Sequence, residues 1–170
     1  MDLRAVIRDV YDFPKEGIVF KDITTILQDP VALRESINQM QDHLKGIDFD
    51  YVVGPESRGF IFGVPIAYNM NKGFVPVRKE GKLPYETKKR TYDLEYGTST
   101  IEMHSDAIKP GDKVVIIDDL LATGGTSEAM VKLIEDFGGE VVKMVYLIEL
   151  TFLPGRDKLA GYDVEALIKY

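Results

Sequence analysis

The segment VVIIDDLLATGGTSEAM, residues 114–130, sets two adjacent carboxylates, Asp118 and Asp119, between an apolar run and a Gly/Thr loop. The spacing puts Ala122, Thr123, Gly124, Gly125 and Thr126 between a strand end and a helix start. Unpaired amides and the helix dipole attract an anion there. Gly124 and Gly125 allow a tight turn and a close approach to a ligand, and Thr123 and Thr126 add hydroxyl donors. The loop is neither a Walker loop, which ends in lysine followed by serine or threonine, nor the spaced-glycine dinucleotide fingerprint. A P-loop lysine serves a phosphate that is being transferred. A phosphate held only as a handle gains no charge during reaction, so amides and hydroxyls suffice. Carboxylates beside it would repel bare polyphosphate but accept hydrogen bonds from a diol, which a ribose 5-phosphate carries. Their charge would also favour an oxocarbenium-like transition state.

A second concentration of charge lies in VRKEGKLPYETKKR, which holds Arg78, Lys79, Lys82, Lys88, Lys89 and Arg90. The chain as a whole is acidic, with a net charge of −7 over 170 residues. That balance argues against broad binding to nucleic acid or anionic membranes and for one local anionic ligand. There is no cysteine, which excludes disulfides, thiolate metal sites and cysteine nucleophiles. His43 and His104 do not cluster with other ligating residues and carry no role. The N-terminal MDLRAVIRDVYDFP lacks a signal-peptide core, and there is no apolar run of membrane-spanning length. A single domain, cytoplasmic, is expected.

The elements that must hold these groups alternate. Residues 2–9 read as a short helix, and a β-branched run follows in FPKEGIVFKDITTIL. Asp29 before Pro30 predicts a helix start. Leu33, Ile37, Met40 and Leu44 form its apolar stripe, ending near Gly46. FDYVVG predicts a buried strand, PESRG a loop, and FIFGVPIAYNM a helix interrupted by Pro65. GFVPVRK predicts a strand and residues 80–90 a mobile loop. TYDLEYG and STIEMH predict an antiparallel pair turning near Gly97 and Thr98. KVVII reads as a strand buried on both faces. A helix follows with Ala129, Met130, Leu133, Ile134 and Phe137 on one side, then the strand EVVKMVYLIEL. Strand–helix alternation predicts an α/β fold with a doubly wound, mainly parallel sheet. Ligands in such folds bind beyond the carboxyl ends of strands. Residues 54–59 and 118–126 both occupy such ends and are expected to face one cleft.

VVIIDDLLATGGTS resembles the signature of the type I phosphoribosyltransferases, a hydrophobic strand, two acids and a Thr-Gly-Gly-Thr loop that binds phosphoribosyl pyrophosphate. FPKEGIVFKDITTIL, GPESRGFIFG, RKEGKLPYET, LEYGTSTIEMH and IELTFLPGR are similar to the adenine-using branch of that family, and together span residues 13–156. The resemblance implies one phosphoribosyltransferase domain over 1–170. A small hood would come from roughly 1–28 and the C-terminal segment, and a flexible β-hairpin, roughly 80–100, would cover the active site.

The implied reaction is purine salvage: adenine and phosphoribosyl pyrophosphate give AMP and pyrophosphate with Mg²⁺, held mainly by substrate pyrophosphate and water. By the same resemblance Asp118 and Asp119 would bind the ribose hydroxyls, and Ala122, Thr123, Gly124, Gly125 and Thr126 the 5-phosphate. Arg58, Arg78, Lys79 and Lys82 would bind pyrophosphate, part of that segment being supplied across a homodimer. Glu95 matches the acid that protonates adenine N7, beside Tyr96 on the closing loop. Val19, Phe20, Lys21 and Leu150 would form the base pocket, with Phe20 stacking on the purine. Family members also often carry a cis non-proline peptide in the loop at PESRG. Two rival readings are another type I transferase, acting on xanthine, guanine, hypoxanthine or orotate, and a non-catalytic regulator that binds phosphoribosyl pyrophosphate. The regulator is disfavoured by the acidic chain and by the absence of a helix-turn-helix extension before residue 13.

Overall fold

Val114, Val115, Ile116 and Ile117 are all fully buried, as a strand covered on both faces requires. The computed structural model containing them describes residues 1–94 and 96–170. In chain order its elements are α1 (Leu3–Val6), β1 (Arg8–Tyr11), β2 (Val19–Asp22), α2 (Thr24–Gln28), α3 (Pro30–Asp42), β3 (Tyr51–Pro55), α4 (Arg58–Asn69) and β4 (Gly73–Lys79). There follow β5 (Thr87–Asp93), β6 (Thr98–His104), β7 (Lys113–Leu121), α5 (Gly125–Asp136), β8 (Glu140–Glu149), α6 (Gly155–Lys158) and β9 (Val164–Lys169).

The main sheet has the order β5-β6-β4-β3-β7-β8-β9. From β4 to β9 its neighbours are parallel, and the β5–β6 hairpin joins antiparallel at the β4 edge. Side chains alternate between the faces. Val114 and Ile116 share one core with Ala129, Met130, Leu133 and Ile134 of α5. Val115 and Ile117 share the other with Met40 of α3 and with Phe62 and Ile66 of α4. The predicted doubly wound, mainly parallel sheet is therefore present, with the switch in strand order between β3 and β7. No helix among the described residues is long and apolar enough to cross a membrane.

Local chemistry explains most boundaries. Asp29 caps α3 by accepting from the amides of Val31 and Ala32 at 2.8 and 3.1 Å, with Pro30 in the first turn. The most buried row of α3 is Ala32, Ser36 and Met40; of the expected stripe Met40 and Leu44 are fully buried, while Leu33 and Ile37 lie one position beside that row and are half-buried. Small residues let that row approach the sheet, and the Ser36 hydroxyl is satisfied by the Leu33 carbonyl at 2.8 Å.

Two expectations change. The helix expected over 2–9 stops at Val6, because Arg8–Tyr11 pair with Val19–Asp22 in a separate two-stranded sheet. The loop expected over 80–90 yields at Thr87 to β5, whose seven residues all pair with β6. In both cases cross-strand pairing overrides weak local preference. The short helix α2 and the edge strand β9 have no counterpart in the sequence reading.

Candidate active site

β7, an interior strand, carries Asp118 and Asp119 near its carboxyl end, and the chain then turns through Ala122–Gly124 into α5. Residues 118–127, together with Pro55, Glu56, Ser57, Arg58 and Lys79, line an open cleft of about 400 Å³. The two predicted strand ends thus face one another.

The turn depends on two glycines. Gly124 has φ +83°, and a Cβ there would lie 2.9 Å from both the Cα and the carbonyl oxygen of Gly155. A Cβ on Gly155 would in turn overlap the Ala122 carbonyl oxygen. Gly155 thus backs the loop from a segment thirty residues away, a contact with no local sequence signal. That segment is locked by Arg156, which grips Glu149 through two hydrogen bonds of 2.8 and 2.7 Å and donates to the Val164 carbonyl. From below, the buried Tyr146 hydroxyl donates to Ser127 Oγ at 2.6 Å. Burial pushes the Tyr146 phenol well above its ordinary value, so it remains a neutral support.

The carboxylates differ. Asp119 is buried and pairs with Arg58, whose Nε lies 2.5 Å from Oδ2. Asp118 keeps an edge open to the cleft, but its carboxyl sits against the first turn of α4 and accepts the Asp119 amide at 2.8 Å. Desolvation first, and then the neighbouring Asp119 charge, push Asp118 well above the usual carboxylate range.

The basic segment gathers on Glu56. Lys82 Nζ is 2.6 Å and Arg78 Nε 3.6 Å from its carboxylate, and the Lys79 amide donates to it at 2.7 Å. Burial acts to raise the Glu56 carboxyl, yet Lys82, the Lys79 amide and Arg78 outweigh it and hold it below its ordinary value. The peptide bond from Glu56 to Ser57 is cis. Lys79 lines the cleft, with Arg78 and Lys82 beside it through Glu56. The other three basic residues are engaged elsewhere: Lys89 with Glu80, Arg90 with Asp136, and Lys88 over the Phe137 ring.

A second cavity, about 410 Å³ and mainly apolar, opens from the same place. Phe20, Phe13, Ile23, Leu27, Ile61 and Ile148 supply its apolar walls. Arg58, Asp119 and Leu120 line both cavities, so the two meet at the Arg58–Asp119 ion pair. Phe20 and Lys21 are on this wall; Val19 and Leu150 do not line it. The Lys21 ammonium is committed to Asp9 at 2.7 Å and to the Tyr170 ring at 4.1 Å. Asp22, also on the wall, is held at about 2 by the Thr24 amide, Arg8 and the Thr24 hydroxyl. Phe13, Ile23, Leu27 and Ile148 were not anticipated, because apolar residues that form a binding wall have the same sequence signature as core.

Tyr96 stands exposed at the hairpin turn, where the Leu94 amide donates to the Gly97 carbonyl at 2.9 Å. Glu95 lies outside the described residues. Among the described residues no three or more His, Cys, Asp or Glu side chains gather as a metal cage. The acidic pair at an open polar cleft suits a hard cation that arrives on a polyphosphate with its own waters.

Residues 22–165 match the model of the phosphoribosyl transferase domain. The chain is 66% identical to an adenine phosphoribosyltransferase of Lachnoclostridium phytofermentans, over 99% of this chain and 97% of that one. The crystal structure of adenine phosphoribosyltransferase from Thermoanaerobacter pseudethanolicus superposes with a TM-score of 0.96 at 54% identity, covering 99% of this chain and 98% of the other. The enzyme from Saccharomyces cerevisiae, complexed with an imino-altritol bisphosphate and adenine, gives a TM-score of 0.89 at 38% identity, with 96% and 94% covered.

Proposed function

The chain belongs to the phosphoribosyltransferase family, and from that premise we propose that it transfers the 5-phosphoribosyl group of phosphoribosyl pyrophosphate to N9 of adenine, releasing AMP and pyrophosphate. One observation carries this reading. A polar cleft ending in a phosphate-type loop and a mainly apolar cavity share Arg58, Asp119 and Leu120 as a common wall. A nucleotide needs that sequence of environments: an anion cradle, a diol acceptor, then a stacking surface.

In this reading the amides of Ala122–Thr126 and the hydroxyls of Thr123 and Thr126 hold the 5-phosphate. Asp118 and Asp119 accept from the ribose hydroxyls, and their charge stabilises the cationic sugar as the C1′–oxygen bond to pyrophosphate breaks. Arg58, Arg78, Lys79 and Lys82 stabilise the charge that leaves. The open polar cleft beside Asp118 and Asp119 would accommodate Mg²⁺ carried on the substrate pyrophosphate with its waters, and the ion would supply charge neutralisation for the leaving group. Phe20 stacks on adenine beside Lys21, while Val19 and Leu150 adjoin the wall of the apolar cavity in sequence without lining it. Glu95 protonates N7 as N9 attacks C1′, and Tyr96 rides on the same closing hairpin. If Glu95 is that acid, Glu95→Gln removes the limb of the kcat–pH profile that falls as its carboxyl ionises, and a retained limb refutes the role.

Choice of base is tested by turnover with adenine, hypoxanthine, guanine, xanthine and orotate in parallel. Adenine presents an amino donor at its 6-position, so it needs an acceptor where a 6-oxo purine needs a donor. Adenine is expected to dominate, and a preference for a 6-oxo base would overturn the assignment. The functional unit in this reading is a homodimer, supported by Val64 and Tyr68 of α4, 47% and 84% exposed one helical turn apart. Sedimentation at assay concentrations is expected to give twice the 19.1 kDa chain mass, and a monomer that remains active would contradict it.

A further inference from the structure

The strand β5 lies along α5 from one end to the other. Lys88 Nζ is 4.8 Å from the centre of the Phe137 ring, and Arg90 reaches Asp136 at 3.3 Å. Tyr92 Oη is 2.9 Å from Thr126 Oγ1. These residues alternate along the strand and therefore share one face. Lys88 and Arg90 hold the far end of the helix. Tyr92 instead reaches its first turn, at the ligand loop. Its ring lies against Gly125, where an added Cβ would sit 3.3 Å from Cδ2, and packs on the core beneath. Tyr92 does not itself line the cleft.

We propose that Tyr92 is a positioning residue for the 5-phosphate: it orients the Thr126 hydroxyl and thereby couples the seating of the hairpin to occupation of the loop. This rests on the reading that Thr126 binds that phosphate. A threonine hydroxyl has one proton to give and lone pairs to accept with. Either oxygen of the Tyr92–Thr126 pair is able to donate in the free protein. An anion in the loop removes that freedom. Thr126 then gives its proton to the phosphate and accepts one from Tyr92, forming a relay from phenol to hydroxyl to phosphate. Each bond polarises the next, so the anion tightens the hairpin contact. Reciprocity requires that a hairpin held through Tyr92 also favours the anion.

Tyr92→Phe keeps the ring packing and removes only the hydroxyl. Binding of ribose 5-phosphate is read by calorimetry, together with KM for phosphoribosyl pyrophosphate and for adenine. One neutral hydrogen bond corresponds to about a 2–10-fold change. Tyr92→Phe is expected to weaken ribose 5-phosphate and raise KM for phosphoribosyl pyrophosphate by about that factor, with KM for adenine unchanged. The effect persists in a Thr126→Ser background, which keeps the hydroxyl, and vanishes in Thr126→Val, which lacks it. Unchanged binding in Tyr92→Phe, or an effect that adds fully to Thr126→Val, overturns the proposal and leaves the reading of the loop intact. Unchanged binding in Thr126→Val removes the reading of the loop, and the proposal with it. Should Tyr92→Phe be too unstable to assay, hydrogen exchange of the β5–β6 hairpin decides: saturating ribose 5-phosphate is expected to slow it in the wild type and not in Thr126→Val, and equal slowing in both overturns the proposal.

Discussion

Gly124→Ala is expected to lower kcat/KM for phosphoribosyl pyrophosphate by about 10²–10⁴-fold while the protein stays folded. Two costs combine at this position. The left-handed φ of +83° disfavours any residue with a Cβ by about 1–2 kcal/mol. The new methyl would also stand 2.9 Å from Gly155 Cα and its carbonyl oxygen, inside contact distance of backbone that cannot swing aside. Arg156, clamped to Glu149 and Val164, fixes that backbone. The loop must therefore move, and its amides leave the positions from which they converge on an anion. Hydrogen bonds to a charged group are worth about 1.5–3 kcal/mol each, so losing two accounts for the expected range. Steady-state kinetics with phosphoribosyl pyrophosphate varied, alongside thermal unfolding, measures both parts. A variant with near-normal kcat/KM would show that the loop amides do not carry the phosphate.

Asp118→Asn is expected to separate activity from stability. Catalysis should fall by about 10²–10³-fold, the usual cost of removing a group that stabilises developing charge. The melting temperature should hold or rise. The folded protein raises the Asp118 pKa through desolvation and the adjacent Asp119, above the value the unfolded chain would have. The favourable contribution of this residue is therefore fully present below the ordinary carboxylate range, from about pH 4 downward. It is lost as pH rises through the elevated folded value. Asparagine copies the neutral form and can still accept the Asp119 amide, so it avoids that loss. Melting of both proteins across this range should show the wild type declining relative to the variant. A fall of more than about 4 °C in the variant at neutral pH, on the order of 1 kcal/mol for a domain of this size, would contradict the account. A charge kept where folding disfavours it is the signature of a site maintained for its ligand.

How much of this could be read beforehand follows from where the information lies. The loop at 118–126 was legible because its chemistry is contiguous: a strand, two acids, two glycines and two hydroxyls in nine residues. Arg58 was legible from its place at a second strand end. The base cavity was not, beyond Phe20 and Lys21. Phe13, Ile23, Leu27 and Ile148 converge from three separated stretches of chain, and each alone reads as core. Gly155, Tyr146 and Tyr92 were missed for a related reason. Each supports the loop through a contact across 19 to 34 positions, and such spacing leaves no periodic trace. The fold was legible where burial is two-sided, as in KVVII. It was obscured at Arg8–Tyr11 and Thr87–Arg90, polar segments that become strands only by pairing.

The central claim is that one site joins a phosphate handle, a sugar and adenine, and product formation tests it most directly. Adenine, phosphoribosyl pyrophosphate and the folded protein are combined with and without Mg²⁺, and AMP and pyrophosphate are quantified together. The account predicts AMP and pyrophosphate in equal amounts, strongly dependent on Mg²⁺. A folded sample that forms no AMP, or releases pyrophosphate without it, would contradict the claim.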